Sequence, residues 1–225
     1  MHIYTTAEGK SVPSVTTVLD VLGSKEIIKW ANYLGFKHVS YEDELNASAT
    51  KGTKAHTMLQ HLVDPSLGKL EVQYRDVYEE RYYSRVMENF LKEISQYDYS
   101  TIFTEKTLVS DKLGYGGTLD WYANMNGLMM LNDFKTSKKV RIKHLFQLGG
   151  YYNLMIDNGY NVDGGAIIIA NDINSKLFPI NKTQLEEFGI VFNMLRKVYD
   201  LYNEASIIHD PNLLNNLKRA NLTNL

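Results

Sequence analysis

Asp120, Asp133 and Lys135 are the residues whose types and spacing could do chemistry, and a turn signal between them says how they meet. Asn126-Gly127 lies between the apolar runs Leu119 to Met125 and Leu128 to Leu131. Asn-Gly is the strongest short hairpin signal, because both residues tolerate the positive φ that a two-residue type I′ turn demands. With those two as the loop, Met125 faces Leu128 and Asp120 faces Asp133. Side chains directly opposed on one sheet face have Cβ atoms roughly 4.5 to 5.5 Å apart, and like charges so placed destabilise the sheet. Lys135, two residues beyond Asp133, shares its face, while Asn132 and Phe134 point the other way. Two anions beside one cation suit a divalent metal held by both carboxylates, with the lysine reaching toward a metal-bound water or a phosphate.

The same residues also fit an ordinary surface hairpin, with Lys135 paired to Asp133 at a gain under about 1 kcal/mol. Their surroundings favour the metal, because both acids interrupt strongly apolar strands, and buried acids need partners. Directly after them, Lys138, Lys139, Arg141 and Lys143 complete five cations in nine residues. Such a run is either a solvated face or, beside a metal site, a surface that receives phosphates and so binds DNA.

The net charge of −2 over 225 residues gives no global positive field, so any nucleic-acid affinity must be local. The absence of cysteine excludes disulfides, thiolate zinc sites, iron–sulfur clusters and cysteine nucleophiles. The start is short and polar and no 18-residue apolar span occurs, which predicts a soluble, cytoplasmic protein with no membrane partner. At 44% hydrophobic content the chain can build one sizeable core, and one domain over 1–225 is expected.

The elements that must position the acids follow from periodicity. Ser14 can cap a short helix through Leu22, and Ser24 a second from Lys25 to about Tyr33. A third should run from Ala49 to Val63 and stop at Asp64-Pro65, since the residue before proline disfavours αR. Glu71 to Tyr97, rich in Tyr and charge, reads as one long helix or two shorter ones. Thus 1–98 is mainly helical. The core, 99–205, opens with a strand from Tyr99 to Val109, a turn at Gly114 to Gly117, and the hairpin. Arg141 to Asp157 returns to helical period, its Gly149-Gly150 pair implying close packing. Gly164 to Ala170 reads as a buried central strand and Lys176 to Ile180, with Pro179, as an edge strand. Thr183 to Glu186 reads as a capping box opening an amphipathic helix with Leu185, Phe188, Val191, Phe192, Leu195, Val198 and Leu201 on one face. The tail, 206–225, is expected to be peripheral. The fold class is α/β: a central mixed sheet of four or five strands flanked by helices, with an N-terminal helical region.

Taken in order, Gly52-Thr53-Lys54-Ala55-His56, Glu105, Gly117-Thr118-Leu119-Asp120, Asp133-Phe134-Lys135-Thr136 and Gln147-Leu148-Gly149-Gly150-Tyr151 resemble the PD-(D/E)XK nuclease superfamily. More narrowly they are similar to its RecB-like exonuclease branch, which includes the mitochondrial genome maintenance exonuclease and many phage nucleases. Pro13 to Leu19 and Lys29-Trp30-Ala31 resemble that branch's N-terminal region, so the likeness spans roughly residues 11 to 170. It implies a restriction-endonuclease-like core and metal-dependent DNA cleavage in recombination, replication or degradation, with a helicase or single-strand binding protein as a conceivable partner. It further implies that Asp120, Asp133 and His56 ligate Mg²⁺ or Mn²⁺ with the Phe134 carbonyl, that Lys135 serves the attacking water and the scissile phosphate, and that Gln147 and Tyr151 face the site. Glu105 would bind metal or pair with a cation such as Lys106 or Lys112. Imidazole would make Mn²⁺ a comfortable metal. Asp133 stands where glutamate is commoner in the family. Three rivals remain: an endonuclease, a non-catalytic DNA-binding module on the same fold, and a glycoside hydrolase using Asp120 and Asp133 as its carboxylate pair.

Overall fold

A computed structural model describes residues 3–23 and 25–208 of the chain. The cap expected at Ser24 and the tail from 209 onward lie outside the described residues. A short hairpin, β1 (Ile3–Thr5) and β2 (Ser11–Pro13), leads into α1 (Val15–Val18) and a 3₁₀ turn, Leu19–Leu22. Ser14 caps α1 as expected, its hydroxyl accepting the Thr17 N–H at 2.9 Å. Next come α2 (Lys25–Phe36), α3 (Tyr41–Val63) and α4 (Val77–Ile94).

α3 begins eight residues earlier than the periodicity suggests, because Ser40 accepts from the Asp43 N–H and Glu42, Asp43 and Glu44 favour a helix N-terminus. It stops at Asp64-Pro65, as expected. α4 starts later than Glu71, at the cap Asp76, whose carboxylate takes the Glu79 N–H at 2.8 Å.

The remainder is β3 (Tyr99–Ser110), β4 (Tyr115–Met125), β5 (Leu128–Lys135), α5 (Ile142–Asp157), β6 (Gly164–Ala170), β7 (Ser175–Asn181) and α6 (Lys182–Ile208). These strands form a five-stranded sheet in the order β3-β4-β5-β6-β7, antiparallel except for the parallel pair β5/β6 that α5 connects. The protein is therefore α/β, with a mixed five-stranded sheet between two helical layers. β6 is buried along all seven residues, the mark of a strand covered on both faces. β7 is the edge strand and tolerates Pro179.

One layer is α5, α6 and α1, whose Leu148, Leu154, Phe192 and Val15 pack on Leu119, Leu131 and Ile167. The other is α3 and α4, whose Leu59, Val86 and Phe90 pack on Trp121, Phe134 and Ile168. Gly149 is the contact point of α5 with α6: a Cβ there would come within 2.4 Å of the Phe188 carbonyl carbon. The α6 cap differs from the expected one. Asn181 and Gln184 form the reciprocal box, with bonds of 2.9 and 3.1 Å, so the helix opens two residues earlier. On its expected apolar face, Leu185 and Phe192 are buried, while Val198 and Leu201 are exposed beyond the edge of the sheet.

The expected turn at Gly114 to Gly117 is shorter. Gly114 has φ +69° and closes it, but Gly116 and Gly117 are strand residues of β4. They lack side chains because aromatic rings lie on the sheet there: a Cβ would be 2.6 Å from the Tyr4 ring at Gly116 and 2.6 Å from the Tyr151 ring at Gly117.

Candidate active site

The β4/β5 hairpin has the expected register, from Met125 opposite Leu128 to Trp121 opposite Asn132, and Asn126 and Gly127 both adopt positive φ. The paired ladder ends there, one step short of Asp120 and Asp133, and Asp120 is tied to β5 through the Phe134 N–H instead. The alternation of β4 inverts at this point. Leu119 faces the α5/α6 layer, whereas Trp121 faces α3 and α4. Asp120 thus sits where the strand twists, within reach of side chains from both layers.

Its carboxylate accepts the Phe134 N–H at 2.8 Å and lies 3.5 Å from His56 Nδ1. His56 comes from α3 and stands edge-on to the Phe134 ring, with ring centroids 6.1 Å apart. Burial would push the Asp120 pKa up, but His56, Lys135 and the Phe134 N–H outweigh it and hold the group below the usual carboxylate value. His56 answers in kind: burial disfavours its charge, yet Asp120 raises its pKa above the ordinary imidazole value.

Asp133 is fully buried, and Lys135 Nζ lies 2.5 Å from its Oδ2. That ion pair engages Oδ2, while the buried Oδ1 has no hydrogen-bond partner. Burial pushes the Asp133 pKa up to about 6, and the Asp120 charge adds to this against the pull of Lys135. Two carboxylates of opposite pKa tendency therefore adjoin one lysine and one imidazole.

α5 closes the other side. Gln147 Nε2 donates to the Tyr151 hydroxyl at 3.0 Å, and Tyr151 is buried with its pKa raised by burial and by the nearby charges of Asp133 and Asp120. Tyr151 thus lies near the acids, and Gln147 reaches them only through its bond to Tyr151. Glu105 lies in β3 opposite Asp120 by register, with φ +48°, at a step where the ladder does not pair. Its carboxylate takes the Gln60 amide of α3 as partner, not Lys106 or Lys112. Gln60, one helical turn beyond His56, was not foreseen, nor was His144. Lys135, Arg141 and Lys143 lie near His144, and burial together with those charges lowers its pKa to about 4. The spacing of 144, 147 and 151 on one helix face was the available signal.

The basic residues Lys138, Lys139 and Arg141 lie in the loop between β5 and α5, all three exposed. Lys143 belongs to them only in part, since its Nζ pairs with Asp20 at 2.8 Å.

Among the described residues, no three His, Asp or Glu side chains form a ready-made cation cage. The donor chemistry nevertheless fits Mg²⁺ or Mn²⁺: two carboxylates and one imidazole, with one buried acceptor, Asp133 Oδ1, that no donor satisfies. Neither a family model nor a curated protein matches this chain. Among solved structures it is similar to the crystal structure of SSO0001, with a TM-score of 0.35 and 14% identity over 80% of this chain and 75% of that one. A likeness at that level says nothing of function. No helix among the described residues is long and apolar enough to cross a membrane.

Proposed function

We propose that the chain is a metal-dependent deoxyribonuclease of the PD-(D/E)XK type, RecB-like, acting as an exonuclease from a single domain with a restriction-endonuclease-like core. The observation that carries this reading is the buried Asp133, which shares one oxygen with Lys135, keeps the other without a hydrogen-bond partner and has the charge of Asp120 nearby. A buried carboxylate without hydrogen bonds is costly, and a cation offsets that cost. His56, Asp120 and Asp133 would hold the ion, with the Phe134 carbonyl beside them. When bound, Mg²⁺ or Mn²⁺ supplies hydroxide near neutral pH and screens the charge that builds on the phosphate.

The chain's own residues do the rest. The Phe134 N–H fixes the Asp120 carboxylate on one side and His56 restrains it on the other. Lys135, once Asp133 is otherwise occupied, is free to turn its ammonium to a phosphate oxygen or to the attacking water. Tyr151, held protonated by burial, offers a neutral donor next to the acids, and Gln147 orients it. Lys138, Lys139 and Arg141 receive flanking phosphates, so that DNA ends are the expected substrate and a helicase or single-strand binding protein a plausible recruiter. A glycoside hydrolase would leave Lys135 and these cations without a role.

The test is incubation of the purified protein with end-labelled linear DNA and with closed circular DNA, each with Mg²⁺, Mn²⁺ or EDTA. Degradation of linear DNA alone, dependent on metal and abolished in Asp120→Ala, is the expected result. Cutting of circles would make the protein an endonuclease. Cleavage that persists in purified Asp120→Ala would sink the assignment of the site, and none at all would leave a DNA-binding module.

A further inference from the structure

The tyrosine-rich stretch that becomes α4 has no part in the chemistry above, yet it lines a trough against α3, the helix that carries His56. Two adjoining cavities of about 240 and 290 Å³ share Lys51, Arg75, Glu79 and Tyr83 as walls. Tyr78 and Tyr82, four residues apart on one face of α4, flank the first of them. Tyr78 is 82% exposed, with its ring face open. Lys51 Nζ stands 3.3 Å from the centre of the Tyr82 ring, which fixes that ring in place. Tyr83 donates its hydroxyl to the Lys51 carbonyl, tying the two helices together at the trough floor.

The trough and the site lie on different faces of the same helix. Lys51 precedes His56 by five residues on α3, about 7.5 Å along the helix axis. Gly52 lies against Thr136, the residue after Lys135, with 3.8 Å between a built Cβ and the Thr136 hydroxyl. A strand held in the trough would therefore have to cross α3 to reach Asp120 and Asp133.

The charges decide what kind of strand fits. Glu79 lies 3.3 Å from Lys54 and 3.4 Å from Arg75, so it neutralises much of both, and Asp76 adds a second anion. With three cations facing two carboxylates, backbone phosphates alone gain little here. The ring faces must supply the binding, and a ring face stacks only on a base whose own face is free. Duplex DNA hides those faces in its stack. An unpaired strand offers one at every nucleotide.

We propose that the trough between α3 and α4 is a grip for single-stranded DNA, in which a base stacks on Tyr78 while Lys51 takes the neighbouring phosphate. This rests on the nuclease reading for its substrate and adds where the strand is held. Tyr82 acts through Lys51, as a positioning residue.

Fluorescence anisotropy in EDTA, with a labelled oligo-dT and a labelled hairpin duplex as probes, tests the grip apart from cleavage. Tyr78→Ala and Lys51→Ala should each weaken oligo-dT binding about tenfold, with the duplex affected far less and Tyr78→Phe close to wild type. Because the trough is nearly neutral, Tyr78→Ala should leave the salt dependence of binding unchanged, whereas Lys51→Ala should lower the log–log slope by about 0.7. Circular dichroism on each variant separates weakened stacking from failure to fold. Unchanged oligo-dT affinity in folded Tyr78→Ala, equal losses on both probes, or a wild type that ignores oligo-dT would each overturn the grip. A wild type that cuts DNA while Tyr78→Ala binds normally removes the grip and leaves the nuclease. Binding with the expected losses but no cleavage in Mg²⁺ or Mn²⁺ removes the nuclease and leaves the grip.

Discussion

Asp133 is buried with one oxygen on Lys135 and the other without a hydrogen-bond partner, and its environment gives the metal-free protein a pH signature. An unfolded aspartate titrates near 3.8, but in the fold this one titrates near 6. Between those values the fold retains a proton that the unfolded chain has released, so stability falls as pH rises through the window and the full penalty applies above 6. Asp133→Asn stays neutral throughout. In EDTA it should exceed wild type in stability by roughly 1 to 3 kcal/mol above pH 7, and the advantage should vanish by about pH 4. Denaturant unfolding at several pH values measures this, and a gap that does not change with pH would contradict it. His144 carries the opposite sign: its folded pKa lies near 4, so its neutral form supports the fold above pH 6.5 and that support is lost as pH falls toward 4. His144→Gln should therefore gain on wild type as the solution is acidified. The acids and Lys135 were legible in the sequence because a turn signal and a period of two are local rules. Gln60 was not, since it meets Glu105 through packing between elements far apart in the chain, whereas His144 had a signal in its helical spacing to Gln147 and Tyr151.

At the scale of elements, two glycines control what the helices can reach. Gly117 lets the Tyr151 ring lie directly on β4, and a Cβ there would be 2.6 Å from Tyr151 Cε1. Gly117→Ala should cost about 1 to 3 kcal/mol and, by displacing Tyr151, should slow cleavage more than Tyr151→Phe does. Equal rates in Gly117→Ala and wild type would remove Tyr151 from the site. Gly149→Ala meets backbone of α6 rather than a movable ring, so it should lose at least about 3 kcal/mol in thermal unfolding. Helix existence was readable from periodicity, whereas boundaries depended on caps. Ser40, Asp76 and Asn181 each moved a start by several residues, because one side chain accepting one N–H outweighs the preference of a few neighbouring residues. The phase inversion at Asp120 had no local signal, since it arises from the twist that β3 and β4 share.

Across the whole molecule, the sheet separates two helical layers, and the site lies where both reach one twisted strand: His56 and Gln60 from α3, Gln147 and Tyr151 from α5. With a net charge of −2, the proposed nuclease would have to hold DNA through local cations. Reversing Lys138 and Lys139 to glutamate should weaken DNA binding and reduce its salt slope by roughly one for each phosphate that is no longer neutralised. Lys143→Ala should do less, because Asp20 already neutralises that lysine. The overall α/β plan was visible in the alternation of strand and helix patterns, but the convergence of α3 on the hairpin was not, as no sequence period links residue 56 to residue 120. The most direct measurement is the rate of release from end-labelled linear single-stranded DNA as Mn²⁺ is titrated, for wild type, Lys135→Ala and Asp133→Asn. Metal-dependent release in wild type, a large drop in Lys135→Ala and none in folded Asp133→Asn is the expected outcome. Release by Asp133→Asn at the wild-type rate would contradict the assignment of this site.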